Sequence, residues 1–176
     1  MRLIAPHPFD LGVLAGYMLI VGAEMCRRLP LINLHPAPPG GPVGTWQEVL
    51  WQLLAPGTER AGITIHLVTE DLDRGPPITY CTFPLRGPAF DPLWREVMEL
   101  GPERVRREQG EGNRLFQEAR RQGVARELPL LVETLKAFAQ GRVALREGRV
   151  VDGQGQPIPG LDLSAAVGPL AVAGEG

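Results

Sequence analysis

The sequence predicts an α/β fold: a mostly parallel sheet with one antiparallel strand and a helical C-terminal part. Three observations predict it. Apolar runs at residues 11–16 and Leu31–His35 have the continuous hydrophobicity of strands buried on both faces. Stretches with helix-like spacing and stop signals follow these runs. The resulting order, strand–helix–strand–helix–strand–strand–helices, is that of an α/β chain.

Residues 11–16 end at Gly16 and read as the first strand. Residues 22–29 read as a short helix stopped by Pro30, and Leu31–His35 as the second strand. Residues 37–44 are rich in Pro and Gly and must be a loop. Thr45 caps a helix over residues 46–54, with Glu48 completing a capping box and Trp46, Val49, Leu50 and Leu53 on one face. Pro56-Gly57 ends it. Residues 63–68 and 77–83 are strands joined by a turn at residues 73–76, too short for a crossover helix, so they pair antiparallel. Asp91 caps a helix over residues 92–100 with Pro92 at its first position. Residues 103–112 are highly charged and read as loop or mobile helix. Helices are expected at residues 115–122 and 129–140, the second with Leu130, Leu131, Leu135 and Phe138 as its apolar stripe. Turn signals at Glu147-Gly148 and Asp152-Gly153 place a hairpin in residues 142–158. Residues 161–176 are small, apolar and expected to be poorly ordered.

Composition bounds the function. The chain has 176 residues, with 44% hydrophobic and 22% charged, which suits one soluble domain with a real core. The 18 basic and 20 acidic residues leave a net charge of −2, so nothing electrostatic points to nucleic acid or an anionic membrane. The longest apolar run, residues 11–21, is shorter than the ~20 residues a spanning helix needs. No basic segment precedes it as in a secretory signal, so a cytoplasmic protein is expected. Cys26 and Cys81 lack metal-ligand spacing; a single disulfide between them is permitted but not implied, and no metal is expected.

The chemistry-bearing residues are Asn33 and His35, in Asn-Leu-His-Pro, and Asp73, in Leu-Asp-Arg-Gly-Pro. Two residues apart on a strand, Asn33 and His35 point to one face. Ligands of open parallel sheets lie at strand carboxyl ends, and both clusters follow strands. An amide, an imidazole and a carboxylate suit acyl transfer between amines. Asn33 and a protonated His35 can donate to the oxygen that gains charge as the amine attacks. Asp73 can hold His35 as imidazolium and pass protons, and no Ser or Cys nucleophile is needed. Other candidates read as ordinary structure: His66 as a strand residue at most supporting the site, His7 as surface, Trp46 and Trp51 as core, residues 104–107 as a solvated helix face, and both cysteines as core thiols.

Three blocks, Val13-Leu14-Ala15-Gly16-Tyr17-Met18, Ile32-Asn33-Leu34-His35-Pro36 and the run from Ile65 to Pro76, resemble in order and spacing the formyltransferase family, and within it the phosphoribosylglycinamide formyltransferases of purine biosynthesis. The resemblance covers about residues 11–83. It implies a partial Rossmann-like fold that uses 10-formyltetrahydrofolate as formyl donor, with a small-molecule amine as acceptor and no metal. It implies catalytic roles for Asn33, His35 and Asp73. It also implies that Leu14, Gly16, Tyr17, Met18, Ile20, Val21, Thr69, Glu70, Asp71 and Leu72 hold the pterin, mainly through backbone groups.

The departures are specific. The family's N-terminal half, with its phosphate-gripping Gly-rich turn, has no counterpart here. Ala37 stands where a Ser follows His-Pro, and Leu19 stands where an Arg follows Met. The acceptor-binding Glu-His pair falls near Val124 and Ala125, which do not match it. Residues 94–122 have no family counterpart. Residues 1–145 are therefore expected to be the catalytic C-terminal part of the family fold, and residues 146–176 a small hairpin and flexible tail. Two other readings stand beside formyl transfer: a folate-binding module without transferase activity, and formyltetrahydrofolate hydrolysis. The first strand should form a sheet edge with exposed apolar surface, which invites a second copy or an N-terminal segment.

Overall fold

The computed structural model describes residues 7–168 except residues 15 and 18. The chain runs β1 (Gly12–Leu14), α1 (Ala23–Arg28), β2 (Leu31–His35), α2 (Trp46–Leu53), β3 (Arg60–Leu67) and β4 (Pro77–Pro84). It continues with α3 (Asp91–Leu100), α4 (Pro102–Glu108), a 3₁₀ turn at Gly110–Gly112 and α5 (Arg114–Ala139). The hairpin β5 (Val143–Arg146) and β6 (Arg149–Asp152) follows, then β7 (Leu161–Asp162) and α6 (Ser164–Val167).

The main sheet has the order β1-β2-β3-β4-β7. β1 runs parallel to β2 and β7 parallel to β4, while β3 is antiparallel to both of its neighbours. Four strands thus share one direction and β3 alone is reversed, which is the mostly parallel sheet with one antiparallel strand that the sequence predicts. The short connection from β3 to β4, residues 68–76, dictates their antiparallel pairing, because no crossover helix fits in it.

Strand alternation divides the sheet into two faces. Ile32, Ile63, Ile65 and Cys81 are buried in one core cluster with Leu130 and Ala137 of α5. Ala61 and Phe83 continue that face into a second cluster with Val49, Leu50 and Leu53 of α2, Trp94 and Val97 of α3, and Phe116 of α5. Asn33, His35, Thr64 and His66 fall on the other face. The pairing shifts between Ile65 and His66, leaving Ile78 as an extra residue on β4 that enters the core.

Several elements differ from the sequence expectation. The first strand lies at a sheet edge with Val13 37% exposed, as expected, but is only three residues long. Asp91 is the first helical residue and not the cap; its side chain accepts from the Gly87 N–H. Residues 102–108 form a regular helix anchored by the buried Val105, since the charges occupy only its outer faces. The two helices expected over residues 115–140 are one helix with Pro129 inside it. From Pro129 onward its buried positions are Leu130, Thr134 and Ala137, while Leu135 is exposed, because the stripe facing the sheet is set by packing and small residues and not by hydrophobicity alone. Residues 161–167 are ordered: β7 pairs with Thr79 and Tyr80 of β4, and Ser164 accepts from the Thr82 N–H. The remainder of that tail, residues 169–176, lies outside the described residues.

A buried hydroxyl pair fixes α5 to the sheet. Thr134 Oγ1 donates to the Leu130 carbonyl at 2.7 Å, so it accepts from Thr79 Oγ1 at 2.6 Å. Thr134→Val would leave the Thr79 hydroxyl without its acceptor and is expected to cost about 1–3 kcal/mol in denaturant unfolding. The double change with Thr79→Val should recover much of that loss, since neither hydroxyl would then be left unpaired.

Candidate functional site

The polar face of the sheet is set by register. His35 sits opposite Thr64, and Asn33 lies between Leu14 of β1 and His66 of β3. Residues 36–44 lie across this face. Thr64 Oγ1 donates to the Ala37 carbonyl at 2.7 Å, and His35 Nε2 lies 2.8 Å from the Pro42 carbonyl. Gly62 permits the approach: a Cβ there would lie 2.7 Å from the Cys81 carbonyl and 3.1 Å from Pro38.

The loop after β3 brings the carboxylate. Val68 N–H donates to the Leu31 carbonyl and Leu67 N–H to the Pro76 carbonyl, so the loop folds back on its own strand. Thr69 Oγ1 and the Arg74 N–H both donate to the Asp71 carbonyl, closing a tight turn. Asp73 takes a left-handed φ of 53° there, a conformation that Asp tolerates. The expectation that both motifs sit at adjacent strand carboxyl ends is corrected. β3 is reversed, so its carboxyl end lies beside the start of β2, with Leu67 opposite Ile32. Asp73 reaches His35 because the loop doubles back over the sheet.

Asp73 lies between two imidazoles. Its Oδ2 is 3.5 Å from His35 Nδ1 and its Oδ1 is 3.5 Å from His66 Nε2. His35 and His66 are 6% and 4% exposed, and their rings meet edge to face at 6.4 Å. Pro42 offers His35 only an acceptor, so His35 Nε2 carries hydrogen, and Nδ1 faces the Asp73 carboxylate. Burial is the largest influence on His66 and pushes it below the ordinary imidazole range.

A cleft of about 210 Å³ opens on these groups. It is lined by His35, Thr64, His66, Asp73 and Arg74, with the loop residues Pro38 to Gly41 and Val43. Asn33 shares the face by register but is not among the lining residues, nor are Leu14, Gly16, Tyr17, Ile20, Val21, Thr69, Glu70, Asp71 and Leu72. Gly16 has a left-handed φ of 69°. Tyr17, Ile20 and Leu72 are exposed, and Val21 accepts from Cys26 Sγ. Glu70 pairs with Arg27 of α1, which ties the returning loop to that helix. Met18 lies outside the described residues.

Sequence reasoning gave Thr64 no role and His66 at most a supporting one. The signal was in the alternation Ile63-Thr64-Ile65-His66, where every polar residue faces the cleft. Arg74 and the Pro42 carbonyl carried no comparable signal. Cys26 and Cys81 are free thiols, and burial pushes Cys81 up to about 11, leaving it protonated and inert. Among the described residues no cluster of side chains fits a metal ion, and no helix is long and apolar enough to cross a membrane.

Residues 1–85 match the family model described as formyl transferase. A phosphoribosylglycinamide formyltransferase of Saccharomyces cerevisiae is 33% identical over 84 residues, which is 44% of this chain and 39% of the relative. The structure of a phosphoribosylglycinamide formyltransferase from Coxiella burnetii superposes with a TM-score of 0.66 at 24% identity, over 92% of this chain and 64% of that one, a likeness of fold. A formyltetrahydrofolate deformylase from Pseudomonas syringae is similar with a TM-score of 0.55 at 26% identity, over 86% of this chain and 42% of that one. The chain thus spans about two fifths of the curated relative's length.

Proposed function

We propose that this chain, whose residues 1–85 match the formyl transferase family model, carries the catalytic, folate-facing part of a formyl-transferring enzyme, with residues 1–145 as the catalytic unit. The observation that carries the reading is the convergence of His35 and Asp73 on one cleft, with Asn33 on the same sheet face. The proposed reaction moves a formyl group from 10-formyltetrahydrofolate to a small-molecule amine in the cytoplasm, with glycinamide ribonucleotide as the acceptor the relatives' names suggest.

The donor set fits that chemistry. When bound, the folate supplies an activated formyl carbon. Asn33 and the Nδ1–H of a protonated His35, whose Nε2 is engaged by the Pro42 carbonyl, are the proposed donors for the carbonyl oxygen as negative charge builds on it, a contribution of about 3–4 kcal/mol per well-aimed donor. Asp73 keeps His35 doubly protonated and oriented, and accepts a proton from the attacking ammonium. Leu14, Gly16, Tyr17, Met18, Ile20 and Val21, together with Thr69, Glu70, Asp71 and Leu72, are the proposed pterin contacts. The test is absorbance-monitored turnover of 10-formyltetrahydrofolate, with and without glycinamide ribonucleotide. Turnover only with the amine is expected; folate binding with no turnover would instead identify a binding module.

The likeness to a formyltetrahydrofolate deformylase favours one second reading, hydrolysis with water in place of the amine. Formate release at the same rate with and without an amine would select it.

A further inference from the structure

We propose that His66 is a positioning residue working through Asp73: its bare Nε2 takes up, from the Asp73 carboxyl, the surplus proton of formyl transfer. The inference rests on the transfer reading above. Formylation of an ammonium by an N-formyl donor converts R–NH₃⁺ and R′R″N–CHO into R–NH–CHO, R′R″N–H and H⁺. One C–N bond forms and another breaks. The attacking nitrogen loses two protons, of which one ends on the donor's nitrogen, so one must leave through the site.

His66 is built to receive it. Nδ1 lies 3.0 Å from the Leu67 carbonyl, an acceptor only, so the single N–H of a neutral ring is there. Nε2 is then a lone pair, and it is buried with no hydrogen-bond partner. Asp73 Oδ1 lies 3.5 Å from it. Buried acceptors are nearly always paired, and one that is left bare beside a carboxylate calls for a role. A proton arriving on Asp73 supplies the missing donor. The titratable groups facing His66 are Asp73 and His35; Asp73 favours its protonation, His35 opposes it, and burial keeps the ring neutral before the reaction. Arg74 lines the same cleft. The proton therefore has a place to go that does not discharge His35.

His66→Asn separates this role from a structural one. An Asn amide N–H can occupy the place of Nδ1 and donate to the Leu67 carbonyl, but offers no basic nitrogen. With glycinamide ribonucleotide as acceptor, His66→Asn is expected to lower kcat about 10-fold or more. It should also remove the acid limb of the kcat–pH profile and leave KM for the folate unchanged. An unchanged kcat and profile would overturn the proposal. A second readout uses the free protein: two-bond ¹H–¹⁵N imidazole spectra of the wild type and of Asp73→Asn. Near neutral pH His66 is expected as the Nδ1–H tautomer, titrating at lower pH once the Asp73 charge is removed. An Nε2–H tautomer, or a titration indifferent to Asp73→Asn, would overturn the inference. If the wild type transfers formyl to neither amine nor water, the proposed function falls, and the spectra decide the His66 assignment by themselves.

Discussion

Asp73→Asn is expected to lower formyl transfer by about 10²–10⁴-fold, the range for loss of a positioned acid–base group. The change is nearly isosteric, so the folded state should persist with an unaltered circular dichroism spectrum. The reason for so large an effect is that Asp73 serves two rings. Its oxygens lie 3.5 Å from His35 and from His66, and it is 12% exposed. An Asn amide can accept from one ring but cannot hold a positive charge on it or take a proton from the attacking ammonium. His35, whose other nitrogen already donates to the Pro42 carbonyl, would then favour the neutral form with its Nδ1 lone pair toward residue 73. One oxyanion donor and the proton acceptor are lost together. Steady-state kcat with saturating folate and amine measures this; a variant within a few-fold of wild type would remove Asp73 from the mechanism.

The same geometry explains what was legible in the sequence. The motif residues were legible because their chemistry is rare at strand ends, and the opposed directions of β3 and β4 were legible because their connection is too short for a crossover helix. How Asp73 reaches His35 was not, since loop paths depend on backbone contacts that residue types do not encode: Val68 to Leu31, Leu67 to Pro76, and the turn about Asp71. The long α5 was hidden for a related reason. Pro129 read as a helix start, yet inside α5 it removes only one backbone donor. Packing against β3 and β4 carries the helix through it. Residues 161–162 were read as tail because their composition is bland; the unpaired edge of β4 makes them a strand.

Gly75 is where fold and site depend on a single hydrogen atom. A Cβ at this position would lie 1.7 Å from the Leu67 carbonyl oxygen and 2.9 Å from its carbon. The obstacle is the backbone of β3, not the mobile end of a side chain, so relief requires the loop to lift off the strand. Lifting it breaks the Leu67–Pro76 bond and withdraws Asp73, two residues away, from both imidazoles. His35 and His66 would then share a buried space without their common carboxylate, a cost added to the steric one. Gly75→Ala is expected to destabilise the protein by about 3 kcal/mol in denaturant unfolding. It should also reduce formyl transfer as severely as Asp73→Asn, although no reacting group has been touched. Gly112→Ala is the control, since a Cβ there meets nothing within 4 Å. If Gly75→Ala retained wild-type stability and kcat while Gly112→Ala was neutral, the close return of the loop over β3, and with it the placing of Asp73 between the two histidines, would be wrong.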